Sequence, residues 1–141
     1  MSNRSSSQSK CVMIEDLRPS PGNHVTTVFI VLEKPDARKI GGDHGAGRIC
    51  TALVADSTAA VNLQLCGSEI DAFKPGDIVR LTDGLFSFEK TNLALRAGRK
   101  GHLEKIGEFC MVFKEQPNMS RLQWVQEPSS RQMIPKMARR V

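Results

Sequence analysis

Val61-Asn62-Leu63-Gln64-Leu65-Cys66 alternates apolar and polar residues without interruption. A period of two places Val61, Leu63 and Leu65 on one face of a strand and Asn62, Gln64 and Cys66 on the other, so one face is buried and the other exposed. Working outward, Asp56-Ser57-Thr58 makes a turn that leads back to a preceding strand at Ile49 to Ala55. Further upstream, Val25 to Leu32 is β-branched and aromatic and stops at Glu33-Lys34-Pro35, which reads as a first strand. Downstream, Ser68 can cap a short helical turn whose Ile70 and Phe73, three apart, pack inward. Lys74-Pro75-Gly76-Asp77 then turns the chain into a fourth strand, with a bend or bulge at Asp83-Gly84. Leu93 and Leu95 alternate with Asn92, Ala94 and Arg96 to give a fifth.

Three strands, a short helical link and two more strands predict an all-β fold, a five-stranded OB-fold barrel with the link between strands three and four. Closure of such a barrel removes most exposed sheet edges. An SH3-like barrel would account for the strands but not for the link at 67–73. The expected organisation is an N-terminal disordered tail at 1–10, the barrel domain at 11–117 and a basic, flexible C-terminal tail at 118–141.

With 141 residues and 40 % hydrophobic content, the chain fits one domain with tails. It has no apolar run near the roughly 18 residues of a membrane span. Its Ser-rich N-terminus lacks the apolar core of a secretion signal, which implies an intracellular protein. Cys11, Cys50, Cys66 and Cys110 form no C-x-x-C pair and are expected as free thiols. The net charge of +5 invites a nucleic-acid reading, yet residues 11–117 hold 13 Lys/Arg against 14 Asp/Glu. Residues 118–141 hold five basic residues and only Glu127, so the excess lies in the tails. One local exception is the run Lys90, Arg96, Arg99, Lys100 and Lys105, opposed only by Glu104, which puts a basic strip along one hairpin.

Nothing supports catalysis, and the expectation is a protein that is not an enzyme, without cofactor or metal. Gly41-Gly42-Asp43-His44-Gly45-Ala46-Gly47 lacks the Gly-Lys-Ser/Thr end of a phosphate-binding loop. His24, His44 and His102 are scattered without the spacing of a metal site, and no cysteine is set beside a His and an acid.

Pro75-Gly76-Asp77-Ile78-Val79-Arg80-Leu81-Thr82 and Lys105-Ile106-Gly107-Glu108-Phe109-Cys110-Met111-Val112-Phe113 bracket one β unit. Together with Phe29-Ile30-Val31-Leu32-Glu33 and Val54-Ala55-Asp56, they make residues 13–118 resemble the SOSS-B family of the SOSS complex, single-stranded-DNA-binding proteins with one OB-fold. The resemblance implies a nuclear protein of the DNA damage response, acting in double-strand break repair by homologous recombination and in the G2/M checkpoint. It implies as partners single-stranded DNA, the helical scaffold SOSS-A, which is Integrator subunit three, and the small component SOSS-C. Glu108 and Phe109 would dock the scaffold, an aromatic anchor beside a carboxylate. The competing reading makes Phe109 an inward residue of the last core strand, with Met111 and Phe113.

OB-folds hold single strands with a basic groove and aromatic platforms. The family's stacking positions correspond to Cys66, Leu85, Glu89 and Arg96, none of them aromatic. The candidate nucleic-acid contacts are therefore Lys90, Arg96, Arg99 and Lys100, whose charges can pair with phosphates, and Phe86 and Phe88, one residue from the expected platforms. Phe86 and Phe88 share parity with each other, which fits core packing, and a bulge at Gly84 would reverse it. Two alternatives stay open: an adaptor that keeps the scaffold contact and has lost DNA binding, and an RNA-binding OB-fold.

Overall fold

The computed structural model describes residues 10–40, 47–89, 91–126, 128 and 132–135. The alternation at 61–66 is realised: Val61, Leu63 and Leu65 are buried, Asn62 and Gln64 are half-buried, and Cys66 is exposed. The main strands are β1 (Val25–Glu33), β3 (Gly47–Ala55), β4 (Ala60–Cys66), β5 (Asp77–Glu89) and β6 (Asn92–Arg96), with the helical link α1 (Glu69–Ala72) between β4 and β5. β1 pairs antiparallel with β3 and β5, β3 with β4, and β5 with β6; β4 and β6 meet in parallel at Leu63 and Leu95. These pairings close a five-stranded ring. Phe29, Val31, Val54, Val79, Leu81, Phe86 and Leu95 fill it with Val61, Leu63 and Leu65.

The bulge expected at Asp83-Gly84 is present. Val25 faces Gly84 while Thr27 faces Leu81, so β5 carries one extra residue there, and Asp83 takes φ 53°. The helical link buries Ile70 and Phe73 as expected, but the Ser68 side chain makes no capping bond. The Glu69 carboxylate accepts from the Cys66 amide instead, and Lys34 Nζ donates to the carbonyls of Ile70 (2.5 Å) and Phe73 (2.7 Å) at the other end. A cation on the last carbonyls of a helix satisfies groups that have no partner within it.

Additional strands appear beyond the expected five. β2 (Arg38–Ile40) pairs with β3. After a break at 97–101, closed by Gly101 N donating to Ala97 O at 3.0 Å, the chain resumes as β7 (His102–Glu108) along the first half of β5. A small hairpin of β8 (Trp124–Gln126) and β9 (Met133–Pro135) follows.

The tail expected from residue 118 is corrected over the residues that follow. Met119 is 3 % exposed and belongs to the core cluster, and Leu122 and Trp124 pack against it. Residues 117–120 run along the edge of β4 that β6 leaves uncovered: Ala60 N donates to Pro117 O (2.9 Å), Met119 N to Ala60 O (2.8 Å) and Asn62 N to Ser120 Oγ (3.0 Å). Apolar residues spaced among the charges, Met119, Leu122 and Trp124, give this segment its own reason to dock. Residues 1–9 lie outside the described residues. Among the described residues no helix is long and apolar enough to cross a membrane.

Candidate nucleic-acid interface

The outer face of β3 and β4 is the floor of an open groove. Thr51 on β3 and Asn62 and Gln64 on β4 form its centre, and the β5–β6 hairpin contributes Glu89, Thr91, Asn92, Ala94 and Arg96 as one wall. Ser120 of the docked C-terminal segment stands at the other side. The groove continues past Thr51 and Asn62 toward Glu33, Pro117, Asn118 and Arg121. Its alternation follows from the same period of two that builds the core, since the residues facing out of β4 are those between Val61, Leu63 and Leu65.

Arg96 supplies positive charge to the hairpin wall, and it is held in place. Its Nε donates to Gln64 Oε1 (2.7 Å), and its Nη1 donates to the carbonyl (2.8 Å) and hydroxyl (2.9 Å) of Ser87. Glu89 stands 3.8 Å from Nη2, and the side chain is 14 % exposed. Burial lowers the guanidinium's pKa from its ordinary value, opposed by the charge of Glu89 and by Cys66. Arg96 is thus a fixed donor whose remaining hydrogens are on Nη2, and not a mobile arm for phosphates.

The other expected contacts separate into three groups. Arg99 and Lys100 are exposed on the 97–101 turn, beside His24, Asp83 and Leu85, with no ion pair among the described residues. Phe88 is 49 % exposed and lies against Pro19, Pro21 and Met133, outside the groove. Phe86 is corrected: it is completely buried and meets Trp124 edge-to-face with ring centroids 6.3 Å apart, so no ligand reaches it. The two phenylalanines share a face of β5, but only Phe86 lies within the barrel, Phe88 being near the strand's end. Lys90 lies outside the described residues. Lys105, part of the expected basic strip, is engaged by Asp77 (3.2 Å) and Glu108 (2.5 Å), and these bonds raise its pKa above the ordinary value.

Of the four positions where the resemblance places stacking rings, Glu89 and Arg96 line the groove, Cys66 lies exposed at the end of β4, and Leu85 faces the 97–101 turn. Sequence reasoning missed Asn62, Gln64, Thr51 and Ser120 as site residues. The polar half of the 61–66 alternation was the signal that could have found the first two.

Glu108 ends β7 and Phe109 follows it, on a different part of the barrel, where β7 pairs with the start of β5. Phe109 is 70 % exposed, and Val112 and Phe113 beside it in sequence are exposed as well. This overturns the reading of Phe109 and Phe113 as inward residues of a last core strand: β7 ends at Glu108, and Phe109 turns the backbone with φ 59°. The Glu108 carboxyl is held below its ordinary pKa by its bond to Lys105. Among the described residues no group of three or more His, Cys, Asp or Glu could hold a metal ion.

The closed five-strand ring, the parallel β4–β6 junction, the helical link and the groove on the outer face define an OB-fold barrel. The chain is 30 % identical over 95 residues to the single-stranded DNA binding protein Ssb of Saccharolobus solfataricus, a match covering 67 % of this chain and 64 % of that relative's length. Among solved structures, hypothetical protein F20O9.120 from Arabidopsis thaliana superposes with a TM-score of 0.65 at 26 % identity, over 84 % of this chain and 88 % of that one. The OB domain of Ta0387 from Thermoplasma acidophilum does so with a TM-score of 0.58 at 18 % identity, over 70 % and 89 %, which bears on the fold alone. No family model matches the chain.

Proposed function

We propose that this protein binds single-stranded DNA across the β3–β4 face, without catalysing a reaction. The observation that carries the reading is the continuous polar groove from Arg96 to Arg121 on the face that OB-folds use for oligonucleotides. The similarity to a single-stranded DNA binding protein of Saccharolobus solfataricus supports the same ligand. Arg99 and Lys100 add exposed charge on the 97–101 turn that follows β6. In our finer reading the protein is a nuclear component of a SOSS-like complex acting in double-strand break repair by homologous recombination and in the G2/M checkpoint. Glu108 and Phe109 would hold the SOSS-A scaffold, and SOSS-C would complete the assembly. The exposure of Phe109 supports a partner there, since an exposed aromatic beside a fixed carboxylate is suited to anchor an interface.

A second reading is favoured by the lack of any aromatic residue lining the groove among the described residues. Stacking contributes about 1–3 kcal/mol per base, and a barrel without it would serve as an adaptor that keeps only the scaffold contact. Titration of the full chain with labelled oligo-dT and oligo-U at two salt concentrations separates the readings. DNA binding predicts saturable binding to oligo-dT that weakens when Arg99 and Lys100 are both changed to Glu. No binding by a folded protein that still co-precipitates SOSS-A would leave the adaptor reading.

A further inference from the structure

The groove's amides have fixed orientations, and these point to how it distinguishes bases. Arg96 Nε–H can only donate, so its partner on Gln64 is the amide oxygen, and both hydrogens of Gln64 Nε2 are left without a partner among the described residues. The same logic runs through the C-terminal segment. The Ser120 backbone N–H donates to Asn118 Oδ1 (2.9 Å), so Asn118 presents its Nδ2 to Asn62 Oδ1 (3.1 Å), and the Asn62 amino group is left free among the described residues. Asn62 and Gln64 are two residues apart on one face of β4, their Cα atoms about 7 Å apart, so both amino groups are offered along the groove floor.

No aromatic side chain among the described residues lines this groove, so a base that enters it meets hydrogen-bonding side chains and no ring to stack on. Two amino donors suit exocyclic oxygens. Thymine, uracil, cytosine and guanine carry such an oxygen; adenine carries an amino donor in its place, and the bidentate pairing of an Asn or Gln amide with its ring nitrogen and amino group needs the amide oxygens that Asn118 and Arg96 already engage. We propose that the groove selects single strands by the carbonyl oxygens of their bases, read by the amino groups of Asn62 and Gln64, so that thymine-rich strands are preferred to adenine-rich ones. This rests on the reading of the barrel as a single-strand binder. It differs from sequence-tolerant stacking in making affinity depend on base identity.

The test compares oligo-dT, oligo-dA and an abasic strand of equal length on the full chain by fluorescence anisotropy. It is repeated with Asn62→Asp/Gln64→Glu, which keeps the acceptors for Asn118 and Arg96 and replaces each free amino group with oxygen. The expected result is oligo-dT bound about tenfold more tightly than the other two, the scale of one edge-specific contact. In the double variant, shown by melting to be folded, the dT-to-dA ratio should fall toward one. The ratio is the readout because adenine strands stack on themselves and the variant's added charge weakens all three strands together. Equal wild-type affinity for oligo-dT and the abasic strand overturns the inference, as does a ratio unchanged in the variant, and both leave single-strand binding intact. Failure to bind any strand overturns the binding function itself, and the inference falls with it.

Discussion

The ring of Phe109 lies against the Cα of Gly76, so close that a Cβ at residue 76 would stand 2.1 Å from Phe109 Cε1. The Phe109 amide also donates to Gly76 O at 2.8 Å, and both residues have positive φ, 59° and 96°. The most exposed aromatic on this surface is therefore positioned by an absent side chain. Gly76→Ala should displace the ring and strain the turn. If the proposed SOSS-A docking holds, co-precipitation with it should be lost, while oligo-dT affinity, which our reading puts on the β3–β4 face, should stay unchanged. Retained co-precipitation would remove the ring from the docking reading.

Phe109 and Phe86 should behave oppositely in a melting experiment. Phe109→Ala removes an exposed ring and should leave stability within about 0.5 kcal/mol of the wild type. Phe86→Ala empties the centre of the barrel and should cost about 3–5 kcal/mol. Equal losses would contradict the exposures of the two rings.

Truncation after residue 117 should destabilise the barrel and not merely shorten it. Buried Met119 alone implies a loss of about 2–5 kcal/mol, the range for cutting such a side chain back to Ala. Trp124, the chain's single tryptophan, reports the docking of this segment through its contacts with Phe86 and Arg18. Its fluorescence should change in one transition with the global unfolding signal. An earlier, separate change would mean that the segment detaches on its own.

Asp56 is a buried carboxylate on which the β3–β4 turn is organised. It accepts from the amides of Ile14 (2.8 Å) and Thr58 (2.8 Å) and from the Thr58 hydroxyl (2.6 Å), tying the 3-10 turn Ile14–Asp16 to the barrel. Asp56→Ala leaves these donors unpaired and should cost about 2–4 kcal/mol in denaturant unfolding, on the scale of hydrogen bonds to a charged group. A loss below about 1 kcal/mol would show that water replaces the carboxylate there.

Cys66 provides a pH test of the groove's electrostatics. Partial desolvation of the thiol raises its pKa above 9.0 although the residue as a whole is exposed, reinforced by Glu69 and Glu89 and opposed by Arg96. A raised pKa means less thiolate at neutral pH, so iodoacetamide labelling of Cys66 should be slow there and accelerate only as pH climbs past 9.0. Glu89→Gln removes one of the charges that raise this pKa and should increase the rate at a fixed pH. An unchanged rate would show that the Glu89 charge does not reach the thiol.

The core was legible wherever one face of a strand is apolar and the other polar, as at Val61 to Cys66 and Leu93 to Arg96. β7 was hidden because most of its residues face water on an outer strand, so His102, Glu104 and Lys105 give no two-residue period to read. Residues 118–126 were misjudged from net charge, a property of the whole segment, when Met119 and Trp124 decide where it lies. Arg96 was placed correctly on the exposed face of its strand. What holds it, Gln64 on β4 and Ser87 on β5, depends on which strands become neighbours, and local pattern carries no information about that.

The backbone of Ala60 to Asn62 has a protector as well as a neighbour. With Pro117 to Ser120 in place, the donors and acceptors along that rim of β4 are occupied; without them, the rim would be an unpaired strand beside an apolar interior. Such a rim is a template on which a strand from another molecule can add, and the result is aggregation. Substitutions that loosen Met119 or Trp124 should therefore reveal themselves first as loss of solubility at high protein concentration, well before the barrel's own melting point.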